Sequence, residues 1–323
     1  MREMIKAFRA MGHEVKVVVM GGTEPRTEAA APKPSMFKSL AKRFIPTRRW
    51  QTLKDKQLIE FDDDAYDQLV QEIKDFQPDM VYERGNYMQV SGVNAANRQK
   101  VMHFLELNSP YVEEKLDLEG ESNMLDVARQ KEAWQLSKSN HVVVVSSSLK
   151  EYFIHEHKVF GGKVSVLPNA IDPEKVNPSA DKIAAVKQQY GMEGKTVLGW
   201  VGSIQPWHGV ETLIDAFAKL AAKEKDTHLL IVGSGETIAE MQEKAASKAC
   251  SGRIHFTGYI PHKDVFAHIG AMDICILPNT KWYCSPIKIF EYGIMEKAII
   301  ASNHAAVLDV MNPGKDGLVI DPT

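Results

Sequence analysis

Residues 196–222 read TVLGWVGSIQPWHGVETLIDAFAKLAA, and this stretch decides the fold. It opens with an apolar run of strand length, Thr196–Val201, and closes with Val210–Ala222, where apolar side chains recur at helical spacing. The loop between them, Gly202–Gly209, has a glycine at each end. An apolar strand that leads into an amphipathic helix is typical of a parallel sheet covered by helices on both faces.

The same alternation of apolar runs and amphipathic stretches continues in both directions along the chain. Five strands are predicted in the first half: Val15–Met20, Met80–Glu83, Val101–Leu107, His141–Val145 and Val164–Leu167. Six strands are predicted in the second half: Thr196–Val201, His228–Val232, Arg253–Thr257, Asp273–Leu277, Ala298–Ala301 and Gly317–Ile320. The two series are separated by Pro168, Pro173 and Pro178. The pattern therefore predicts an α/β protein of two domains, 1–168 and 169–323, each built on a doubly wound parallel sheet.

The composition is that of an ordinary globular protein and excludes several functional classes. The chain has 323 residues, of which 44% are hydrophobic and 25% charged, and its net charge is −3. Because neither half carries a surplus of positive charge, nucleic acid is not expected as a partner. The three cysteines, Cys250, Cys275 and Cys284, have no CxxC spacing and fit a reducing compartment. With neither a signal peptide nor an apolar run long enough to span a membrane, the sequence predicts a cytoplasmic protein.

One basic segment leaves two hypotheses open. Residues 33–50 contain lysines and arginines but no acidic residue, and apolar side chains recur between them at helical spacing. A basic amphipathic helix over residues 35–49 would bind an anionic membrane surface, which makes the protein peripheral on the inner face of the membrane. The alternative is a helix packed on the sheet with its basic face in solvent.

Two turns have the features of an anion-binding site. The loop Gly202–Gly209 leads from a strand into a helix, so its free N–H groups and the positive end of the helix dipole would face a ligand. In the second turn Ser285 fits an N-cap and Pro286 the first helical position, which leaves the N–H groups of Ile287 and Lys288 unpaired. The alternative for the first turn is a plain tight turn.

Glu291 lies one helical turn beyond Lys288, where its carboxylate can accept two hydrogen bonds from a ribose diol. The alternative is a surface Lys–Glu pair with no ligand. Two further glycine turns, Gly233–Glu236 and Gly258–Pro261, follow strands at the edge where open α/β sheets bind ligands. Four such loops in one domain suggest a nucleotide, with separate loops for phosphate, ribose and base.

In their order, these motifs resemble the carboxyl-terminal domain of retaining glycosyltransferases of family 4, which have the GT-B fold. The matching segments are the turn from Gly202 to His208-Gly209, Ile231–Gly235, Gly258–Pro261, Asp273–Pro278 and Ser285–Tyr292. The segment Val164–Asp172 resembles the one that joins the two domains of the family.

The resemblance implies two Rossmann-like domains facing a cleft, and transfer of a sugar from a nucleotide-sugar donor such as a UDP- or GDP-sugar. It further implies a saccharide or lipid-linked acceptor, retention at the anomeric carbon, no metal or other cofactor, and a role in cell-surface polysaccharide or glycolipid synthesis.

Together, the turns and the resemblance assign a set of donor-binding residues: Gly202, Ser203, His208, Gly209, Gly233, Gly235, Tyr259, Ile260, Ser285, Pro286, Ile287, Lys288 and Glu291. Lys288 is the first candidate catalytic residue, because it would neutralise the departing diphosphate. The sequence also departs from the family. Ser203 stands where many members have arginine, His208 where they have lysine, and Tyr283 replaces the first of two paired glutamates. His208 is expected to help Lys288 when it is protonated.

In the first half, Arg84, Glu106 and Asn108 follow or close predicted strands and are candidate catalytic residues near the reacting sugar. The alternative is that they are structural. His103, by contrast, is predicted to lie in the core.

Three tempting features favour structural roles. Asp62–Asp64 is interpreted as the cap of a helix Ala65–Phe76, His155–His157 lacks the HExxH spacing of a zinc site, and Ser146–Ser148 is interpreted as a helix cap.

The rival functions are a nucleotide-sugar epimerase of the same fold and a non-catalytic nucleotide-sugar-binding protein. A dinucleotide-dependent oxidoreductase is disfavoured, because no GxGxxG motif is present. The chain opens inside a predicted helix and ends after a predicted strand, so we expect it to lack a first strand and terminal helices. On that ground it is expected to bind donor poorly or to be inactive alone.

Overall fold

The computed structural model describes residues 2–20 and 45–322 and divides the chain into two compact units, Met1–Leu167 and Pro168–Thr323. Most of the basic segment predicted as an amphipathic helix, residues 35–44, lies outside the described residues. Within the described ranges, no helix is both long and apolar enough to cross a membrane.

The N-terminal unit, Met1–Leu167, has a four-stranded parallel sheet in the order β1-β2-β3-β4. Its strands are β1 Met80–Arg84, β2 Met102–Leu107, β3 His141–Val144 and β4 Val164–Val166. Its described helices are α1 Arg2–Ala10, α2 Thr47–Phe76, α3 Ser91–Gln99, α4 Tyr111–Glu119, α5 Leu125–Lys138 and α6 Ser147–His157. Four of the five strands predicted here are therefore confirmed, with ends shifted by one residue. His103 is fully buried, as predicted.

The remaining prediction, a strand at Val15–Met20, is wrong. Residues 13–19 form neither helix nor strand, and Val17 and Val19 are 48% and 57% exposed. A strand needs a neighbour that takes up its backbone N–H and C=O groups, and no strand in the described ranges pairs with this segment. The run of valines has the composition of a strand, but composition supplies no pairing partner.

The prediction that Asp62–Asp64 caps a helix Ala65–Phe76 is also wrong, because the helix begins earlier in the chain. Helix α2 begins at Thr47, so these residues lie in its interior. The buried Asp62 carboxylate instead accepts hydrogen bonds from the N–H groups of Val90 and Ser91, at 2.9–3.1 Å, at the start of α3. It therefore stabilises the positive end of a different helix.

The C-terminal unit, Pro168–Thr323, has a six-stranded parallel sheet in the order β10-β9-β8-β5-β6-β7. Its strands are β5 Thr196–Val201, β6 Thr227–Val232, β7 Ile254–Phe256, β8 Ile274–Leu277, β9 Ala298–Ser302 and β10 Leu318–Ile320. Its helices are α7 Ala180–Gln189, α8 Val210–Lys223, α9 Ile238–Ala246, α10 His262–Gly270, α11 Ile287–Ile294 and α12 Ala305–Leu308. All six predicted strands are confirmed with small shifts of their ends.

The strand order reverses at β5, which has β6 on one side and β8 on the other. Successive residues of a strand point to opposite faces, so Trp200 packs in one core with α8 and Val201 in a second core with α10 and α11. Ligands of doubly wound sheets bind outside the carboxyl ends of the strands at such a reversal. The loops after β5 and β8 are therefore where the site is sought.

Candidate functional site

Gly202, after β5, and Gly233, after β6, both have a positive φ that favours glycine, and both lie close to neighbouring groups. Gly202 has φ +149°, and a β-carbon there would lie 2.5 Å from Lys288 Cε and 2.9 Å from Lys288 Nζ. Gly233 has φ +126°, and a β-carbon there would collide with the carbonyl oxygen of Gly202. The Lys288 amine thus lies directly against the loop after β5, and the loop after β6 packs beside it. The predicted donor residues Gly202, Gly233 and Lys288 are brought together.

The start of α11 differs in detail from the prediction. The N-cap is Pro286, which offers no side-chain hydrogen bond, and the helix begins at Ile287. Ser285 is not the cap: its buried Oγ accepts a hydrogen bond from the N–H of Asn169 at 3.0 Å, and its carbonyl accepts one from Asn169 Nδ2 at 2.9 Å. No local pattern around Asn169 indicates this role. The N–H of Ile289 donates to the Pro286 carbonyl at 3.1 Å, whereas those of Ile287 and Lys288 have no partner within the helix, so this end of α11 is suited to bind an anion.

Lys288 is half-buried and lies over an aromatic ring. Its Nζ is 5.4 Å from the centroid of Trp200, which is fully buried. Burial lowers the pKa of Lys288, and the nearby Glu291 carboxylate opposes this effect. Among the described residues, no carboxylate forms an ion pair with Lys288. A partly desolvated cation of this kind interacts strongly with an anionic ligand.

Helix α11 is locked to β5 by a buried tyrosine. The Tyr292 hydroxyl accepts a hydrogen bond from the N–H of Val201 at 3.1 Å, and Tyr292 is fully buried. The preceding residue, the buried Glu291, pairs with the exposed His262, with 3.6 Å between Oε1 and Nε2. The Glu291 carboxylate is thus held at the same end of the sheet as Lys288, where it can accept hydrogen bonds from a diol.

His208 lies near the end of the loop after β5. It ends the short 3-10 turn Pro206–His208, and its Nδ1 lies 2.6 Å from the carbonyl oxygen of Ser203. Gly209 follows at φ +68°, a conformation that favours glycine. Burial, reinforced by the charge of Lys288, lowers the pKa of His208 to about 4. The imidazole is therefore neutral at pH 7 in the free protein, and the cationic help expected from it is absent in that state.

The remaining predicted donor residues lie on the loops after β6 and β7. Gly235 packs against the backbone of Ile204, and the N–H of Gly233 donates to the Thr257 hydroxyl at 3.2 Å. On the loop after β7, Tyr259 is 72% exposed, whereas Ile260 packs against the core. An exposed aromatic ring beside the glycine loops is suited to contact a base.

The N-terminal unit holds a second polar cluster at the carboxyl ends of β1 and β2. Arg84 and Glu106 are register partners, and Arg84 Nε lies 3.6 Å from Glu106 Oε1. Nine buried side-chain atoms lack a hydrogen-bond partner in the part of the chain that the structure describes, and four of them lie in this cluster: Glu106 Oε2, Asn108 Oδ1, Asn108 Nδ2 and Tyr82 Oη. Burial and the Glu106 carboxylate raise the pKa of Tyr82. An unpaired buried polar group costs about 1–3 kcal/mol, so such a cluster is suited to receive polar groups of a ligand.

Tyr82 was not among the predicted residues, although the strand period places it on the same face as Arg84.

The other motifs have structural partners. Ser146 caps α6 by accepting a hydrogen bond from the N–H of Leu149 at 3.2 Å, as predicted, and His157 pairs with Glu132 at 3.0 Å. Over residues 2–20 and 45–322, no group of three or more His, Cys, Asp or Glu side chains could hold a metal ion.

The fold and the loops define a two-unit parallel α/β protein with a candidate anion-binding edge on its second sheet. Residues 1–175 match the model of Glycosyltransferase Family 4, and residues 195–323 match that of Glycosyl transferases group 1. The chain belongs to glycosyltransferase family 4, and its fold is GT-B.

The sequence similarity to individual relatives is low. The chain is 27% identical over 150 residues to a 2-deoxystreptamine glucosyltransferase of Streptomyces kanamyceticus, a match covering 46% of this chain and 39% of that protein. It is 25% identical over 163 residues to a GDP-mannose-dependent phosphatidylinositol monomannoside mannosyltransferase of Mycolicibacterium smegmatis, covering 49% of this chain and 43% of that protein. The matches thus span less than half the length of either relative.

Among solved structures, Anabaena HepE in complex with UDP superposes with a TM-score of 0.68 at 18% identity. The superposition covers 80% of this chain and 68% of that one.

Proposed function

We propose that this chain is a retaining glycosyltransferase that binds a nucleotide-sugar donor in its C-terminal unit. The observation that carries the proposal is the position of Lys288. Its amine lies against Gly202 at the uncapped start of α11, with no carboxylate among the described residues paired to it. This arrangement suits a diphosphate, which needs both N–H donors and a positive charge.

Each part of the donor has a matching group in this unit. The diphosphate would bind the N–H groups of the loop after β5 and of the first turn of α11. Glu291 would accept hydrogen bonds from the ribose, and Tyr259 and Ile260 would contact the base.

In the reaction, an acceptor hydroxyl oxygen loses its proton and bonds to the anomeric carbon, while the bond between the sugar and the diphosphate breaks and negative charge grows on the leaving group. Lys288 and the N-termini of helices α8 and α11 stabilise that charge without a metal ion.

The acceptor is proposed to be a saccharide or a lipid-linked saccharide bound by the N-terminal unit. The unpaired polar atoms of Tyr82, Glu106 and Asn108 support this, because sugar hydroxyls both donate and accept hydrogen bonds. The mycobacterial relative's name describes action on a phosphatidylinositol mannoside, which supports a lipid-linked acceptor. We place the reaction in the cytoplasm, in cell-surface polysaccharide or glycolipid synthesis.

Two experiments test the proposal. Thermal-shift measurements against UDP-, GDP- and ADP-sugars should show stabilisation by donors of one base. Calorimetry of Lys288→Ala and Glu291→Ala should then show weakened binding of that donor. The site assignment is wrong if both variants bind as the parent does.

Product analysis separates the proposal from its rivals. An epimerase of the same fold would release free sugar and nucleotide without an acceptor, and a non-catalytic binding protein would release neither. NMR of the product's anomeric proton should report the same configuration as the donor, whereas an inverted product would contradict retention.

A further inference from the structure

Two basic side chains contact adjacent residues of the loop after β5. Lys288 reaches it from α11 and lies against Gly202, while His208 binds the carbonyl of the next residue, Ser203, at 2.6 Å. Trp200 is near both, with its ring 5.4 Å from Lys288 Nζ and 5.6 Å from the imidazole centroid. A ligand seated on this loop would therefore meet both groups.

The contact with Ser203 determines which imidazole nitrogen carries the proton. A carbonyl oxygen only accepts hydrogen bonds, so Nδ1 of His208 must donate to it. In the neutral ring Nε2 then carries no proton. Protonation of His208 at Nε2 changes the charge of the site without breaking the Nδ1 hydrogen bond.

The charged groups around the imidazole keep it neutral in the free protein. Lys288 faces it from α11, and Lys281 lies 4.9 Å from the ring of Trp207, which neighbours His208. Glu211 begins α8, but its carboxylate binds Lys244 of α9 at 2.8 Å. In the described residues no carboxylate forms an ion pair with His208. Burial and Lys288 together hold the pKa of His208 near 4.

We propose that His208 is a proton-linked ligand of the donor diphosphate: it is neutral in the free protein and takes up one proton at Nε2 when the diphosphate binds beside Lys288. The inference rests on the proposed function and adds a regulatory property to the same site. The bound anion supplies the negative charge that the free site lacks around the imidazole, so it offsets the repulsion from Lys288. A lysine at this position would carry a permanent charge, whereas His208 carries one only when the ligand is present.

The linkage has a definite sign. Binding raises the pKa of His208 from about 4, so the complex holds more protons than the free protein between the free and bound pKa values. Affinity for the donor must then rise as pH falls, approaching about tenfold per pH unit within that window, and level off above the bound pKa. No such dependence is expected from a permanent cation.

The experiment is calorimetry of the full 323-residue chain with the nucleotide sugar selected by the thermal-shift screen, between pH 5 and pH 8. An intact nucleotide sugar is required because its diphosphate has no free terminal phosphate and does not titrate over this range. At each pH the titration is repeated in two buffers of different ionisation enthalpy, which counts the protons taken up. Matched variants are His208→Asn and His208→Lys, both also made in a His262→Asn background, since His262 contacts Glu291 at 3.6 Å.

The parent protein and the His262→Asn variant should take up close to one proton per ligand at the acidic end and bind more tightly there. His208→Asn should bind weakly and His208→Lys tightly, both with flat pH profiles and no proton uptake. Tight, pH-independent binding by the parent, or a pH slope that persists in His208→Asn, would overturn the inference while leaving the donor site intact. Absence of binding by any nucleotide sugar at any pH would overturn the proposed function and this inference together.

Discussion

Replacing Lys288 by methionine should change ligand binding and stability in opposite directions. Lys288 is half-buried, and its environment lowers its pKa, which means that the folded free protein penalises the charged side chain. Methionine keeps the length of the aliphatic stem over Trp200 and removes the charge. The free protein should therefore become more stable, while the complex loses its main cationic contact.

The expected magnitudes follow from the surroundings of the amine. A hydrogen bond between charged groups contributes about 1.5–3 kcal/mol, so affinity for the donor should fall about 10- to 150-fold. Replacing a partly buried charge by an apolar group of similar volume is neutral or stabilising, and we expect a gain on the order of 1 kcal/mol in the free energy of unfolding. For a unit of this size that corresponds to a rise of about 2–4 °C in the midpoint of thermal unfolding.

The assay combines calorimetric titration of a nucleotide sugar with thermal unfolding of the free protein at pH 7. Lys297→Met is the matched control, because Lys297 precedes β9 at the opposite end of the sheet and its Nζ donates to the Gly270 carbonyl at 2.9 Å. That variant should lose stability and keep its affinity. If Lys288→Met lost stability and affinity together, Lys288 would be a structural residue and the reasoning would be refuted.

Three further substitutions test how the site is held in place. Tyr292→Phe removes the acceptor of a buried strand N–H and should lower the free energy of unfolding by about 1–3 kcal/mol in urea titrations; an unchanged value would show that the bond contributes nothing. Gly233→Ala forces a side chain at φ +126° against the carbonyl of the neighbouring loop and should cost at least about 2 kcal/mol, whereas Gly252→Ala, with open space around it, should be close to neutral; equal losses would contradict the packing argument. Ser285→Ala leaves the N–H of Asn169 without its acceptor and should cost about 1 kcal/mol and weaken donor binding, whereas unchanged values for both would mean that this contact does not position α11.

The sequence was sufficient for elements whose signal is local. The apolar runs that became β5 and β6 are buried at every position except the exposed Thr196, so their composition alone predicts strands. The run at Val15–Met20 has similar composition, yet it forms no strand because strand formation also depends on a neighbour elsewhere in the chain. The local pattern predicts that a segment tends to form a strand, and pairing with a neighbouring strand decides whether it does.

The candidate site was predictable in position but not in electrostatic state. The glycine loops and Lys288 follow from turn chemistry and motif order. The neutral form of His208 depends on its burial and on Lys288, which lies 80 positions further along the chain, and Ser285 binds Asn169 across 116 positions. The unpaired hydroxyl of Tyr82 depends on burial beside Glu106 on a neighbouring strand. Such long-range contacts leave no trace in local spacing.

A crystal structure of the 323-residue chain with a bound nucleotide sugar would show directly whether Lys288 binds the diphosphate. We predict density for the diphosphate within hydrogen-bond distance of Lys288 Nζ, the N–H of Ser203 and the first N–H groups of α11, with the ribose on Glu291. Density for the nucleotide elsewhere, with Lys288 still lying over Trp200 and out of contact with phosphate, would contradict it.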